Sequence, residues 1–172
     1  MKKLFSTAVL LCCLAMSGQA QDLGFPSIGA GFHGTFPAGG GLSGKFRFTP
    51  INEAQVMIGF FGVVNMYIAR YNHYLGLPSG GAKMKIQPYA FAQSGVISYD
   101  LDNALGLQGN DDLFETESGI TYGAGGGIEY WFPEFTDDLR FVFDLGLGGA
   151  NLEHYEFKSI MFGTGIHYHF GL

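Results

Sequence analysis

Beyond residue 20 the chain contains no cysteine, because Cys12 and Cys13 are its only thiols. A fold built from the remainder therefore has neither a disulfide framework nor a Cys-based metal site. Basic residues are scarce too. Setting aside Lys2 and Lys3, seven Lys and Arg stand against 15 Asp and Glu, a formal charge of 7 − 15 = −8. That balance argues against nucleic acid as a partner, since phosphate binding needs clustered Lys and Arg. No stretch past the N-terminus reaches 18 unbroken apolar residues, which excludes helical membrane spans. Charged residues make up only 14% of the chain, yet it holds 17 Phe, 9 Tyr and 28 Gly. Something other than water must face many of those rings.

The first 20 residues read as a leader. Lys2 and Lys3 precede an apolar run from Leu4 to Met16, followed by Ser17, Gly18, Gln19 and Ala20. This order is that of a secretory signal peptide, with Gly18 and Ala20 at the small-residue positions of the cleavage site. A run of about 13 residues is too short for a spanning helix, which needs about 20. Leu11 before Cys12, and Cys12 before Cys13, leave no small residue ahead of a lipidated cysteine. The expected organisation is residues 1–20 as signal peptide and 21–172 as one domain of 172 − 20 = 152 residues.

Within that domain the apolar surplus recurs with a period of two. From Ser27 to Phe36, Ile28, Ala30, Phe32 and Phe36 alternate with Ser27, Gly29, Gly31, His33 and Thr35. Leu42, Phe46 and Phe48 oppose Ser43, Lys45 and Arg47 before a turn at Pro50–Ile51–Asn52. Strand three, from about Ala54, sets Val56, Ile58 and Phe60 against Gln55, Met57 and Gly59. Strand four sets Tyr67, Ala69, Tyr71 and Leu75 against Met66, Ile68, Arg70 and Asn72, with weaker contrast. Strand five, from Lys85 to Leu101, sets Tyr89, Phe91, Ile97, Tyr99 and Leu101 against Ala90, Ala92, Ser94, Ser98 and Asp100, and Gln93 breaks the apolar set. Strand six is the cleanest, with Ile120, Tyr122, Ala124, Ile128, Tyr130 and Phe132 opposite Thr121, Gly123, Gly125, Gly127, Glu129 and Trp131. In strand seven Phe141, Phe143, Leu145 and Leu147 oppose Arg140, Asp144, Gly146 and Gly148. The last strand alternates Ile160, Phe162, Ile166, Tyr168, Phe170 and Leu172 with Met161, Gly163, Gly165, His167, His169 and Gly171.

Eight amphipathic segments of about ten residues match the strands of a membrane barrel. Closure satisfies every edge N–H and C=O, which lipid cannot do. The expected fold class is all-β, an eight-stranded antiparallel up-and-down transmembrane β-barrel. A soluble lipocalin-like barrel also alternates eight times, and the sign of the alternation separates the two. Here the charges share a face with Gly, Ala and Ser while the rings share the other, which suits rings in lipid and a narrow, filled lumen. Tyr74, Tyr99, Tyr130 and Tyr155, near strand ends, are expected in interfacial girdles.

Four segments in this order, Lys45-Phe-Arg-Phe-Thr-Pro-Ile-Asn-Glu53, Gln87-Pro-Tyr-Ala-Phe91, Gly123-Ala-Gly-Gly-Gly-Ile-Glu-Tyr130 and Gly165-Ile-His-Tyr-His-Phe170, resemble the OmpA/OmpX-like outer-membrane β-barrel family. The resemblance spans nearly all of residues 21–172. It implies a monomer in the outer membrane of a Gram-negative cell, in contact with membrane lipid and lipopolysaccharide, with no cofactor. It also implies both termini on the periplasmic side, with short turns there at 50–53, 76–84 and 133–138. The long third outer loop, 102–118, would then face outward. The closing residues Tyr168, Phe170 and Leu172 stand where the family's insertion signal is read by the barrel-insertion machinery, although the family's usual final ring is replaced by Leu172.

Several constellations invite chemistry. Alternation sends Lys45, Arg47, Arg70 and Arg140 into the same lumen as Glu129 and Asp144, with Asp100 at its margin, so an internal ion-pair network is expected to plug the barrel. A small pore is the alternative, but eight strands leave little open space. His167 and His169 share the inner face, with His33 brought near by closure; hydrogen bonding in a polar lumen is preferred to metal binding. A lipid-modifying enzyme would need a serine joined to a histidine and an oriented acid, and no motif joins Ser43 or Ser159 to His167 or His169. The outer loop carries Asp102, Asp111, Asp112, Glu115 and Glu117 without EF-hand spacing, so a solvated acidic surface is preferred to a specific divalent site. Gly123–Gly127 lacks the helix and the Lys-Ser or Lys-Thr of a phosphate loop, and its glycines are expected to relieve crowding inside. The expected role is non-enzymatic: structural support of the envelope, or surface interaction through the third outer loop.

Overall fold

The computed structural model describes residues 26–36, 39–61, 64–99, 117–152 and 156–171, with the side chains at 60, 61, 64, 99, 117 and 171 outside that description. The proposed signal peptide, Asp100, Tyr155 and Leu172 lie outside the described residues, as do Asp102, Asp111, Asp112 and Glu115; so does the side chain of Glu117.

Eight long strands follow in chain order: β1 (Ser27–Phe36), β2 (Gly39–Thr49), β3 (Asn52–Phe61), β4 (Val64–Tyr74), β5 (Lys85–Tyr99), β6 (Glu117–Trp131), β7 (Leu139–Leu152) and β8 (Glu156–Gly171). Each pairs antiparallel with its sequence neighbours. β1 pairs with β8, and the ring is continuous through β4 and β5, so the sheet has no free edge. A two-residue rung, Ser79–Gly80, extends the turn between β4 and β5.

The register fixes the dimensions. The ladder of partners Lys85↔Trp131, Trp131↔Arg140, Arg140↔His167, His167↔Gly31, Gly31↔Ser43, Ser43↔Met57, Met57↔Ile68 and Ile68↔Gly95 runs once round the barrel. It returns to β5 displaced by 95 − 85 = 10 residues. Ten residues at about 3.4 Å, against eight strand spacings of about 4.8 Å, tilt the strands by about 42° and place the backbone about 8 Å from the axis. A ten-residue strand at that tilt rises about 25 Å, the height of a membrane barrel's apolar band. So narrow a cylinder holds side chains and little else.

The sign of the alternation is unambiguous. Phe143, Tyr168 and Phe170 are 51%, 42% and 51% exposed on the outer wall, whereas Arg47, Glu129 and Asp144 are 1%, 0% and 1% exposed inside. Outer rings gather toward both ends. At the turn end Tyr130 stacks on Phe141 at 5.4 Å, Phe132 meets both, and Tyr168 lies 4.8 Å from Phe170. Toward the loop end Phe36 stacks on Phe162 at 5.1 Å.

Two expectations about faces fail. Strand five is inverted: Tyr89, Phe91 and Ile97 point into the lumen, while Ala90, Ala92, Ser94 and Val96 face outward. Its polar markers, Gln87 and Gln93, share the parity of those rings and mark the true inner face. The rings fit inside because glycines stand beside them on the neighbouring strand, Gly127 next to Tyr89 and Gly125 next to Phe91. A Cβ on Gly127 would stand 2.6 Å from Tyr89 Cζ, and one on Gly148 would stand 2.0 Å from Met161 Sδ. Tyr74, assigned to a girdle, is likewise internal and packs against Tyr89 at 5.3 Å.

Gly127→Ala is expected to lower unfolding free energy by about 1–3 kcal/mol, because the added methyl displaces Tyr89 from Asp144 in a filled lumen. Gly81→Ala, with nothing within 4 Å of the added carbon, is expected to leave it unchanged. Urea titration in detergent micelles measures both.

Candidate functional site in the barrel lumen

The lumen divides into a charged part and an apolar part. Toward the loop end, Met57, Met66, Ile68, Ile97 and Ala150 form a buried cluster with Leu152 against it. Below it lie two groups of ion pairs, each assembled from strands far apart in sequence.

Glu129 of β6 is the centre of the larger group. Its carboxylate accepts from Arg47 Nη2 at 2.7 Å, Arg140 Nη1 at 2.9 Å, Lys45 Nζ at 3.1 Å and the Tyr74 hydroxyl at 2.9 Å. Glu53 of β3 shares two of these cations, with Lys45 at 3.2 Å and Arg47 at 3.1 Å, and accepts from Asn72 Nδ2 at 2.9 Å. Arg47 Nη1 also donates to Gln87 Oε1 at 3.2 Å, and its guanidinium lies 3.9 Å from the centre of the Tyr74 ring. Gln87 in turn donates to the carbonyls of Pro50 and Gly76, tying the network to two turns. Arg140 packs over Trp131 at 4.6 Å.

The second group centres on Asp144 of β7, which pairs with Arg70 of β4, accepts from the Tyr89 hydroxyl and lies 3.0 Å from His33 Nε2. Arg70 Nε donates to Gln93 at 2.9 Å, and its guanidinium sits 4.1 Å from the centre of the Phe91 ring. A buried charge stripped of its partner costs several kcal/mol. Here each carboxylate meets at least one cation and further donors.

The six charges read from the sequence, Lys45, Arg47, Arg70, Glu129, Arg140 and Asp144, all line the lumen, but in two groups. Glu53 was misplaced in a turn. Thr49 to Ile51 make that turn, closed by Asn52 Nδ2 donating to Thr49 Oγ1 at 2.8 Å, and Glu53 begins the inner face of β3. Its shared parity with Gln55 and Met57 is the signal that identifies it. Tyr74 and Tyr89 were missed because a ring announces no face by itself, and Gln87 because its shared parity with Gln93 was outweighed by the rings between them.

Ser43 and His167, which no motif joins, are brought within 3.0 Å by the pairing of β1 with both β2 and β8. Among the described residues no acid is hydrogen-bonded to the His167 ring. Ser43 Oγ also accepts from Gln55 Nε2 at 2.9 Å, His167 Nδ1 has no protein partner to orient it, and both residues are buried. Glu53, Glu129 and His169 place one ligand atom each within 4.8 Å. Lys45, Arg47 and Arg140 already sit on those two carboxylates, an excess of 3 − 2 = +1 that opposes a further cation there. Tyr168 and Phe170 lie on the outer wall at the end of β8.

No protein-family model matches this chain, and no curated protein matches it. Among solved structures, the N-terminal β-barrel domain of Pseudomonas aeruginosa OprF is similar over 84% of this chain and 96% of its own, at 20% identity and a TM-score of 0.48. Ail, the attachment invasion locus protein of Yersinia pestis, is similar over 84% and 97%, at 15% identity and a TM-score of 0.31. The barrel described above rests on its own strand pairing.

Glu129→Gln is expected to cost about 3–5 kcal/mol of unfolding free energy, because Lys45 and Arg47 are then left to share Glu53 and Arg140 loses its carboxylate. Lys158→Gln, which removes an exposed pair with Glu156, is expected to leave the urea midpoint where it is.

Proposed function

We propose that the protein is an integral barrel of a bacterial outer membrane, with a structural or surface-interaction role and a lumen closed to solutes. One observation carries this reading: the outer wall presents Phe, Leu, Ile and Tyr side chains while the charges are inside. In water that arrangement exposes a continuous apolar surface far larger than soluble monomers tolerate. In hydrocarbon it is the low-energy one. The estimated strand height of about 25 Å and the rings near both ends agree with it. The closed sheet leaves no backbone group for lipid to satisfy. The short turns would face the periplasm and the acidic third loop the exterior, in contact with lipopolysaccharide. The aromatic outer face of β8 would serve the insertion machinery.

The packing of the lumen weighs against a pore and against an enzyme site. An ion entering from the turn end would have to part Glu129 from three cations, then cross the Met57, Met66, Ile68 and Ile97 cluster. A substrate would meet the same barriers before reaching Ser43 and His167. Function is therefore assigned to the outer surface and the loops.

The purified protein is expected to migrate faster unheated than boiled on a denaturing gel, to stay with membranes after an alkaline wash, and to pass no resolvable current in planar bilayers. A single unshifted band with material soluble in plain buffer would transfer the reading to a soluble barrel. Discrete single-channel steps would replace the closed lumen by a pore.

A further inference from the structure

Three imidazoles line one wall of the lumen, His33 on β1 and His167 and His169 on β8, and the ion-pair network leaves each of them incompletely engaged. His33 reaches Asp144 through Nε2, but its Nδ1 has no protein partner. His167 touches Ser43 through Nε2 and leaves Nδ1 free, and neither nitrogen of His169 has a protein partner. The rings of His33 and His167 are 5.8 Å apart. All three residues are at most 3% exposed.

Their surroundings are already cationic. Among the described residues the lumen holds Lys45, Arg47, Arg70 and Arg140 against Glu53, Glu129 and Asp144, 4 − 3 = +1 before any imidazole takes a proton. His33 faces Asp144 of β7, Arg70 of β4, Lys45 of β2 and His167 of β8. His167 faces Lys45 and Ser43 of β2, His33 of β1, Glu129 of β6 and its neighbour His169. His169 faces Glu129 of β6, Glu53 of β3, Lys45 of β2 and Arg140 of β7. The three carboxylates in these sets are engaged already, Asp144 by Arg70 and Tyr89, and Glu53 and Glu129 each by two or more cations.

We propose that His33, His167 and His169 form an acid sensor that exchanges the packed lumen for a more hydrated one while the strands stay paired. Protons bind better to a state in which water solvates the imidazoles and screens them from Arg70, Lys45 and Arg140. Acid therefore shifts the population toward that state. The sign follows: the packed lumen is favoured at neutral pH and lost as pH falls. Arg70 Nη2, Gln93 Nε2 and Asn72 Oδ1, also without protein partners, are further polar atoms that water would satisfy. The backbone ladder, sealed from the lumen by the wall itself, carries none of the change. This inference concerns the interior and goes beyond the membrane reading without depending on it.

Trp131 is the chain's one tryptophan, 4% exposed beneath Arg140, whose backbone partner is His167. It reports lumen hydration. Its emission is to be followed from pH 8 to 4.5 in micelles and in lipid vesicles, with the heat-dependent gel shift of the same samples as a check on strand pairing. The expected result is a reversible red shift in acid with the compact band retained. The steepness of the transition should correspond to about three protons taken up. The triple variant His33→Gln, His167→Gln, His169→Gln should show no shift. Should it fail to fold, His169→Gln alone, which breaks no hydrogen bond, should reduce the uptake to about two protons. An acid response in the triple variant equal to the wild type's would assign the effect to the carboxylates and overturn the proposal. So would an unchanged emission in the wild type, or a shift that appears only with loss of the compact band. Solubility in plain buffer would sink the membrane reading while leaving this test intact.

Discussion

Closure of eight strands with a ten-residue displacement is the constraint from which the rest follows. It sets a backbone radius of about 8 Å, and that radius decides what each inward position can be. Large inner side chains such as Tyr89 and Met161 need glycines on neighbouring strands, and every inner charge must find its partner within the lumen. Gly123 and Gly148 make way for Met161, and Gly127 for Tyr89 and Asp144. The glycine-rich segments of β6, β7 and β8 are thus the complement of the rings and charges that β2, β3, β4 and β5 send inward.

Period-two alternation made most of this legible before any coordinates. β1, β2, β6, β7 and β8 carry most of their glycines and inward polar residues on one parity and most of their rings on the other, with Trp131 and the outward pair Glu156–Lys158 as exceptions, so their faces could be assigned directly. β5 could not, because the rule that rings meet lipid is statistical and yields to local volume. Where the neighbouring strand offers glycine, Tyr89 and Phe91 fill space inside, and alanine takes the outer wall. Glu53 was obscured for a different reason. It lies two residues beyond Ile51, and a charged residue beside a Pro-containing turn reads as part of that turn until its parity with Gln55 is considered. The Ser43–His167 contact depends on long-range register, which a single sequence does not display.

The two halves of the lumen act differently on solutes. A charged lumen alone would admit water and small ions at the cost of parting a few pairs; an apolar one alone would leave the polar wall residues unsatisfied. In series, the ion pairs immobilise the turn end and the Met and Ile cluster denies water a partner at the loop end. This division follows from the sequence order of β3, β4 and β5, each of which carries polar inner residues near its turn end and Met or Ile near its loop end, and the proposed closure rests on it.

Buried ion pairs are an expensive way to fill space, since well-packed apolar residues of similar volume often stabilise a fold as well or better. Their value here lies in register. Lys45, Arg47, Glu53, Glu129 and Arg140 come from β2, β3, β6 and β7, and a slip of one residue in any of these strands would turn its charges out of the lumen. Such a slip would set guanidinium or carboxylate among the apolar side chains of the outer wall and strand its former partners inside. An all-apolar lumen would lack that penalty, because Leu, Ile or Val on either face suits lipid and core alike. The outer wall cannot supply the discrimination, as its side chains are nearly interchangeable in lipid. Specification of the barrel therefore rests on the charges in its middle, which is reason enough for a chain with so few of them to place four of its cations there.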